Sequence, residues 1–123
     1  SQEVFALRKA GSLSEAHAMA LDIYEDDPND EWNIKAYAWC LYDLTKLAVS
    51  QNDYDSAKSY SVKLESLPIS EEDEILYIDK AKLYTKMKNY NQALEEIEKG
   101  YKINPKSKEV EKEKVKIVAE DQN

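Results

Sequence analysis

A six-residue turn pattern recurs three times along the chain and restricts the fold more than any other feature of the sequence. It occupies residues 11–16, 52–57 and 88–93. In each copy a residue common in turns is followed by a good N-cap residue, then a large apolar residue and, three positions later, an alanine. An N-cap side chain starts a helix by accepting a hydrogen bond from a backbone N–H of its first turn. Each copy therefore predicts a turn that begins a helix.

A proline follows each of these predicted helices at a nearly constant distance. Pro28, Pro68 and Pro105 lie 12, 11 and 12 residues after the alanine of the preceding turn. Proline has no backbone N–H, and its ring clashes with the preceding turn of a helix, so it ends helices. The spacing predicts three helices of similar length, each closed by a proline.

Residues near the predicted helix starts supply further local signals. Ser12 with Glu15, and Asn89 with Gln92, have the spacing of a capping box, in which two side chains satisfy each other's backbone N–H groups. The acidic run at residues 71–74 precedes another helical stretch. Favourable interaction with the helix dipole accounts for that run without a metal ion.

The stretches between the turns also have helical patterns. Apolar residues at helical spacing predict helices over residues 31–50 and 71–87. Residues 106–120 carry a thinner apolar stripe among alternating Lys and Glu, formed by Val110, Val115, Ile117 and Val118. With two Gly and three Pro in 123 residues and no strand pattern, the chain is predicted to be all-α.

This organisation resembles the tetratricopeptide (TPR) repeat, in which W-x2-L-G-x2-Y is followed by A-x3-F and then by proline. The second copy matches through Leu41, Leu44, Thr45, Ala48, Ala57, Ser61 and Pro68, and the third through Tyr77, Ala81, Tyr84, Ala93, Ile97 and Pro105. The first copy matches through Leu7, Ala16, Ala20 and Pro28. Lys80 stands where the family has leucine. The turns are 41 and 36 residues apart, against about 34 in a standard repeat.

The resemblance implies antiparallel helical hairpins, stacked as a short TPR-like α-solenoid with a C-terminal capping helix. Residues 1–123 form one such domain in this interpretation. Its repeats span about 1–29, 30–68 and 69–105, and the capping helix about 106–120. Because the first repeat starts abruptly, we expect the chain to be a fragment of a longer protein or to lack an opening helix.

The function that the resemblance implies is protein–protein interaction, with a peptide or partner surface bound in a concave groove. In TPR proteins the first helix of each hairpin lines that groove. The alternative is a structural, oligomerising or bracing domain of a larger protein that takes no peptide ligand. The residues expected in the groove are Phe5, Arg8, Lys9, Trp39, Tyr42, Asp43, Lys46, Val49, Ser50, Ile75, Ile78, Asp79, Lys82, Thr85 and Lys86.

Two charged pairs occur at the same offset from their turns. Asp43 and Lys46 match Asp79 and Lys82, and residues three apart share a helix face. They predict either two solvated ion pairs, worth tenths of a kcal/mol each, or a charged ladder along the groove. Some TPR domains bind a C-terminal carboxylate through Lys, Asn and Arg, but this sequence has the two aspartates instead. Any carboxylate contact would come from Arg8, Lys9, Lys46 or Lys82.

Three large aromatic residues have their own expectations. Trp39 either faces the groove or packs between adjacent hairpins, because large aromatic side chains tend to be buried. Trp32 and Tyr37 are expected to pack within the hairpins rather than contact a ligand.

The net charge of −8 and pI near 4.7 oppose nucleic-acid binding, because the average field repels phosphates. On that average charge, basic peptides are the more natural partners. The apolar stretch at residues 36–49 is interrupted by Asp43 and Lys46, so no membrane span is predicted.

Chemistry-bearing residues are few. Cys40 is the sole cysteine, which excludes an intramolecular disulfide and fits a reducing, cytoplasmic location. With His17 as the sole histidine, no zinc ligand set is visible. Cys40 lies among apolar residues, where buried thiols are usually inert. There is no phosphate-binding glycine loop and no nucleophile elbow. We therefore expect no cofactor and no enzymatic activity.

Overall fold

The computed structural model describes residues 2–69 and 74–123, and within them the fold is entirely helical. The predicted all-α class is confirmed for this part of the chain. Its helices are α1 (Gln2–Lys9), α2 (Leu13–Asp26), α3 (Glu31–Ser50), α4 (Tyr54–Ser66), α5 (Ile75–Lys86), α6 (Tyr90–Ile103) and α7 (Lys108–Asp121). The chain divides into two compact units, Ser1–Ser70 and Glu71–Asn123, called the N-terminal and C-terminal units below.

The three recurrent turns have the same backbone geometry. Gly11, Asn52 and Lys88 occupy the left-handed region, with φ of 80°, 59° and 60°. In each turn the next residue donates its N–H to the carbonyl five positions back, at 2.8–2.9 Å. The left-handed residue donates to the carbonyl three positions back, at 2.9–3.0 Å. This is the Schellman motif, which satisfies the last carbonyls of a helix. It joins α1 to α2, α3 to α4 and α5 to α6 as three helical hairpins.

The alanines and prolines of the pattern also have the predicted places. Ala16, Ala57 and Ala93 are each 0% exposed, so a small side chain lies at the interior of every hairpin. The helices α2, α4 and α6 each end two positions before their proline, which is Pro28, Pro68 or Pro105. The predicted helix over residues 31–50 is confirmed as α3.

The capping predictions are partly wrong. Ser12 makes no side-chain hydrogen bond to the start of α2, so no capping box forms with Glu15. The Asn89 side chain accepts from the Gln92 backbone N–H at 3.4 Å. The Gln92 amide donates instead to Glu96 Oε2 at 3.2 Å, which leaves only one half of that box. Of the acidic run at 71–74, residues 71–73 lie outside the described residues, and Glu74 is the N-cap of α5.

The N-terminal unit packs α1, α2, α3 and α4 around a small apolar core. Tyr37 is buried in this core, as predicted, and its ring stacks on Tyr24 with centroids 5.1 Å apart. The prediction for Trp32 is wrong, because its side chain is 73% exposed. Trp32 lies in the first turn of α3, where its ring meets the Lys35 ammonium group at 5.5 Å instead of the core.

The C-terminal unit packs α7 against both α5 and α6. Val110 and Ile117 of α7 are fully buried, and Ile78 of α5 joins the same core cluster. Val115 and Val118 are 59% and 39% exposed, so only half of the predicted apolar stripe faces the core.

Gly100 of α6 determines how closely α7 approaches. A Cβ atom at this position would lie 3.2 Å from Val110 Cγ2, which is tighter than ordinary contact. The absence of a side chain therefore allows Val110 to pack directly over the α6 backbone.

Candidate functional site

A groove between α1 and α3 forms a concave surface of the N-terminal unit. The two helices run in the same direction, because the start of α1 lies beside the first half of α3 and the end of α1 beside the second half. Two adjoining cavities form the groove, and both are lined by Phe5 and Arg8. These two side chains therefore mark its centre.

The first cavity, which we call the basic cavity, has a volume of about 670 Å³ and lies toward the ends of α1 and α3. Its charged lining side chains are Arg8, Lys9, Asp43 and Lys46. The other lining residues are Phe5, Gly11, Leu13, Leu47 and Ser50. An apolar floor with cationic edges can hold an anionic group while excluding water from its apolar neighbours.

The second cavity, which we call the aromatic cavity, has a volume of about 480 Å³ and lies toward the starts of the two helices. It is lined by Gln2, Val4, Phe5, Arg8, Trp32, Lys35, Ala36 and Trp39. None of these eight residues carries a carboxylate. Its large rings offer area for burying an apolar side chain.

Arg8 organises the middle of the groove. Its Nε donates to Asp43 Oδ2 at 2.6 Å, and its Nη2 donates to Asp43 Oδ1 at 3.2 Å. The guanidinium carbon also lies 5.2 Å from the centroid of the Trp39 ring, which in turn meets the Tyr42 ring edge-to-face at 5.6 Å. A two-pronged ion pair and a ring contact both fix the guanidinium in one orientation. The groove therefore has a rigid centre.

Most of the residues predicted for this part of the groove come together there. Phe5, Arg8, Lys9, Trp39, Asp43, Lys46 and Ser50 line one or other cavity. Tyr42 supports Trp39 from the side, whereas Val49 lines neither cavity. Trp39 combines the two alternatives, since it is partly buried and also lines the aromatic cavity.

Of the two alternatives for Asp43 and Lys46, the ion pair between them within α3 is not formed. Asp43 pairs with Arg8 of the neighbouring helix rather than with Lys46 of its own helix. Lys46 is exposed at the edge of the basic cavity. The pairing across helices leaves this lysine available to a ligand.

The predicted residues of the C-terminal unit line a separate and smaller cavity. Ile75, Ile78, Asp79 and Lys82 face α7 across a space of about 260 Å³, whereas Lys86 is not in its lining. The other lining residues are Glu109, Lys112, Glu113 and Lys116. Three acidic and three basic residues line this space, so its charge is balanced.

Two residues of α5 that were expected in an open groove are buried. Ile78 and Thr85 are each 8% exposed. Ile78 packs with the α7 side chains Val110 and Ile117, and the Thr85 hydroxyl donates to the Ala81 carbonyl at 2.7 Å. For Ile78 the expectation was wrong because α7 packs against the face of α5 that was assumed to be open.

Sequence reasoning missed several residues of the α1–α3 groove. Trp32 and Lys35 line the aromatic cavity, and Leu47 lines the basic cavity. A signal for two of them was present, because Trp32, Lys35 and Trp39 are spaced i, i+3 and i+7 and share one face of α3. Assigning Trp32 to the interior concealed that pattern.

The groove also separates charge within the N-terminal unit. Its described lining residues include four of the six basic residues of that unit, Arg8, Lys9, Lys35 and Lys46. They include one of its twelve acidic residues, Asp43, which is already paired with Arg8. The local charge of the groove is therefore opposite to that of the unit.

The sole cysteine and histidine are not part of this groove. Cys40 is 2% exposed, and burial raises the pKa of its thiol to about 11, which keeps it protonated at neutral pH. His17 lies between the rings of Tyr37 and Tyr60, with centroid distances of 5.7 and 6.4 Å. Within residues 2–69 and 74–123, no cluster of three potential metal ligands is found.

Comparison with known proteins assigns no family to this chain. No protein-family model matches it, and no curated protein matches it. None of the helices in the described ranges is both long enough and apolar enough to cross a bilayer.

Proposed function

We propose that this chain is a TPR-like protein-interaction module that binds a peptide segment of a partner protein in the α1–α3 groove. The repeated hairpin turn supports the TPR-like part of the proposal. Each of the three hairpins has a Schellman turn, then a buried alanine and then a proline after its second helix. Helical repeats of this kind use the grooves between successive hairpins as binding surfaces.

The observation that carries the binding proposal is a cluster of exposed apolar side chains in one groove. Phe5, Trp32 and Leu47 are 61%, 73% and 41% exposed, and all three line its cavities. Exposed apolar surface that is concentrated and edged by charges is typical of an interaction site. Aromatic and arginine side chains also dominate the binding energy of protein interfaces.

The dimensions of the groove suit a short peptide. From Trp32 to Ser50, α3 rises about 27 Å at 1.5 Å per residue. An extended peptide covers that length with about eight residues, at roughly 3.3 Å each. A segment of this size can place side chains in both cavities at once.

Site-specific crosslinking tests whether a partner occupies the groove. The photoreactive residue p-benzoylphenylalanine would replace Phe5 in one variant and Val62 of α4 in another. Val62 is the matched control, because both native side chains are 61% exposed within the same unit. Each variant would be irradiated in lysate of the source cells, and the products identified by mass spectrometry.

The proposal expects a discrete adduct with another protein from position 5 and none of the same mass from position 62. Circular dichroism would establish that both variants are helical. Equal adducts from both positions, or none from position 5, would contradict binding in the groove.

Self-association is a second candidate function, favoured by a different observation. Val115 and Val118 are exposed three residues apart on α7 and so form an apolar edge on one helix face. A second copy packed on this edge would make the chain an oligomerising domain. Sedimentation equilibrium of wild type and Val115→Glu tests it: a dimer lost in the variant supports this function, and a monomeric wild type excludes it.

A further inference from the structure

The charge of the groove indicates what kind of peptide it would accept. The chain has a net charge of −8, yet the basic cavity has three cations and one carboxylate in its lining. Lys35 and Arg8 add cationic groups to the aromatic cavity, whose described lining has no carboxylate. A basic peptide would meet repulsion along the whole groove, whereas an acidic one would be attracted.

The basic cavity retains unused hydrogen-bond donors. Arg8 has five N–H groups, of which two go to Asp43, and the described residues offer no partner to the other three. Lys9 and Lys46 are exposed, and no carboxylate of residues 2–69 or 74–123 pairs with either ammonium group. A carboxylate of a ligand can therefore be bound by three cations without breaking the Arg8–Asp43 pair.

The aromatic cavity complements this anion site with apolar surface. Lys35 and Arg8 lie 5.5 Å and 5.2 Å from the ring centroids of Trp32 and Trp39. These contacts hold both rings in place, and Val4 and Ala36 complete an apolar wall. This aromatic wall favours a large apolar side chain of a ligand. Because the two tryptophan rings are already held in place, they lose little rotamer entropy when the ligand binds.

From these observations we infer that the groove selects an acidic peptide segment with an aromatic or large aliphatic side chain. Its carboxylate enters the basic cavity near Arg8, Lys9 and Lys46, and its apolar side chain enters the aromatic cavity between Trp32 and Trp39. This inference rests on the proposed function, and it reverses the expectation of a basic peptide. That expectation used the average charge, which does not show how charge is distributed.

A peptide fits this surface better than a single-stranded nucleic acid, which is also anionic and could stack on the rings. The segment directly before Trp32 contains Glu25, Asp26, Asp27, Asp30 and Glu31. A nucleic-acid strand carries a negative charge at every phosphate. A strand bound along the groove would therefore be repelled by this acidic segment unless it ended before it. A peptide can place its carboxylates only where the cations are.

Selection from a random peptide library tests the chemistry of the groove and needs no identified partner. Random dodecapeptides displayed on phage would be panned against the intact chain, in parallel with the Lys46→Glu variant. The inference expects enrichment of Asp, Glu and large apolar residues on the wild type, and loss of the acidic enrichment on the variant. Enrichment of basic or uncharged peptides would overturn the inference but leave the proposed function standing. A selection without any enrichment would count against both.

Binding of the most enriched peptide would then be measured by fluorescence polarisation, with the C-terminus amidated so that only side-chain carboxylates can act. Lys58→Glu is the matched control for Lys46→Glu, since both lysines are exposed in the same unit and each change alters the net charge equally. We expect affinity to fall about tenfold for Lys46→Glu and to change little for Lys58→Glu. Equal losses would indicate a long-range field effect and would overturn the assigned anion site.

Two further probes complete the test. Replacing the acidic residues of the enriched peptide by Asn and Gln is expected to abolish binding, and so is replacing its large apolar residue by Ala. An oligothymidylate competitor should not displace the labelled peptide at equal concentration. Displacement by the oligonucleotide would overturn the choice of peptide over nucleic acid.

Discussion

Lys80 Nζ lies 2.7 Å from Glu96 Oε1 in the interior of the C-terminal unit, where the two residues are 2% and 0% exposed. The other carboxylate oxygen accepts from Lys99 Nζ at 2.9 Å and from Gln92 Nε2 at 3.2 Å. Burial of a charge is tolerated when it is paired and hydrogen-bonded, and this carboxylate satisfies both conditions. The lysine that departs from the TPR-like pattern is therefore half of an internal ion pair.

Breaking this pair is expected to destabilise the C-terminal unit strongly. Glu96→Ala removes the carboxylate that pairs with the buried Lys80 ammonium group, which costs about 3 kcal/mol of unfolding free energy. At the same offsets from its turn, the α3–α4 hairpin has Leu44 and Tyr60. The double variant Lys80→Leu/Glu96→Tyr should therefore recover most of the loss. The unfolding free energies of wild type, Glu96→Ala and the double variant would be measured by urea denaturation followed by circular dichroism. An unchanged unfolding free energy for Glu96→Ala would refute the prediction.

The Arg8–Asp43 pair is expected to contribute less, because the two side chains remain 22% and 18% exposed. Arg8→Lys keeps the charge but loses the two-pronged hydrogen bonding and the planar contact with Trp39. We expect a loss of about 1 kcal/mol in unfolding free energy. Lys9→Ala, at an exposed neighbouring position, should change stability by less than about 0.5 kcal/mol. Chemical denaturation monitored by tryptophan fluorescence distinguishes them, and equal effects would contradict the role given to Arg8.

The left-handed turn residues allow a test in both directions. Gly11→Ala places a Cβ at φ 80°, where it meets no neighbouring atom within 4 Å, so backbone strain alone should lower stability by about 1 kcal/mol. Lys88→Gly removes such strain at φ 60° and should raise stability by about 0.5 kcal/mol. Thermal unfolding checks both signs. A rise for Gly11→Ala would contradict the turn geometry.

Acidification should weaken the N-terminal unit through His17. Burial lowers the pKa of His17 below its ordinary value of 6.5, and the nearby positive charge of Lys63 lowers it further. The unfolded chain therefore takes up this proton more readily than the folded chain. The contribution of neutral His17 to the unfolding free energy is fully present above pH 6.5. It is lost as the pH falls from 6.5 through the lower pKa of His17 in the folded state.

The His17→Phe variant isolates this contribution, since phenylalanine can pack between Tyr37 and Tyr60 without titrating. Unfolding free energy would be measured from about pH 7.5 to about pH 5.5, above the range in which most carboxylates titrate. Wild type should lose stability across this window more steeply than His17→Phe. Parallel profiles would show that His17 does not contribute.

Substitution of Trp32 is expected to lower the affinity for the peptide with little change in folding stability. Because 73% of its surface is exposed, Trp32→Ala is expected to change unfolding free energy by less than about 0.5 kcal/mol. Under the proposed function the same variant loses most of its affinity for the selected peptide, since aromatic anchors dominate such interfaces. Tyr54→Ala on α4, exposed to 50%, is the control and should bind normally. Undiminished binding by Trp32→Ala would remove the aromatic cavity from the site.

Several helix boundaries have local causes that can be read from the amino-acid sequence. The starts of α3, α4 and α6 follow from the N-cap side chains Asp30, Asp53 and Asn89, which act within a few residues. The start of α2 follows from its turn alone, and the ends of α2, α4 and α6 follow from the prolines after them. The repeated pattern predicted a turn at Gly11, Asn52 and Lys88, whereas the left-handed backbone of these three residues is a finding of the structure.

Which surfaces stay open and which charges pair depends on how the helices pack, and the sequence alone does not show this. Arg8 and Asp43 are 35 positions apart, so no local rule pairs them, and the pair leaves Lys46 available at the groove edge. The burial of Ile78 depends on α7, which packs on α5 from a later part of the chain. Local sterics act over a few residues, whereas burial and charge pairing depend on contacts between distant segments, and those contacts exist only once the helices have packed.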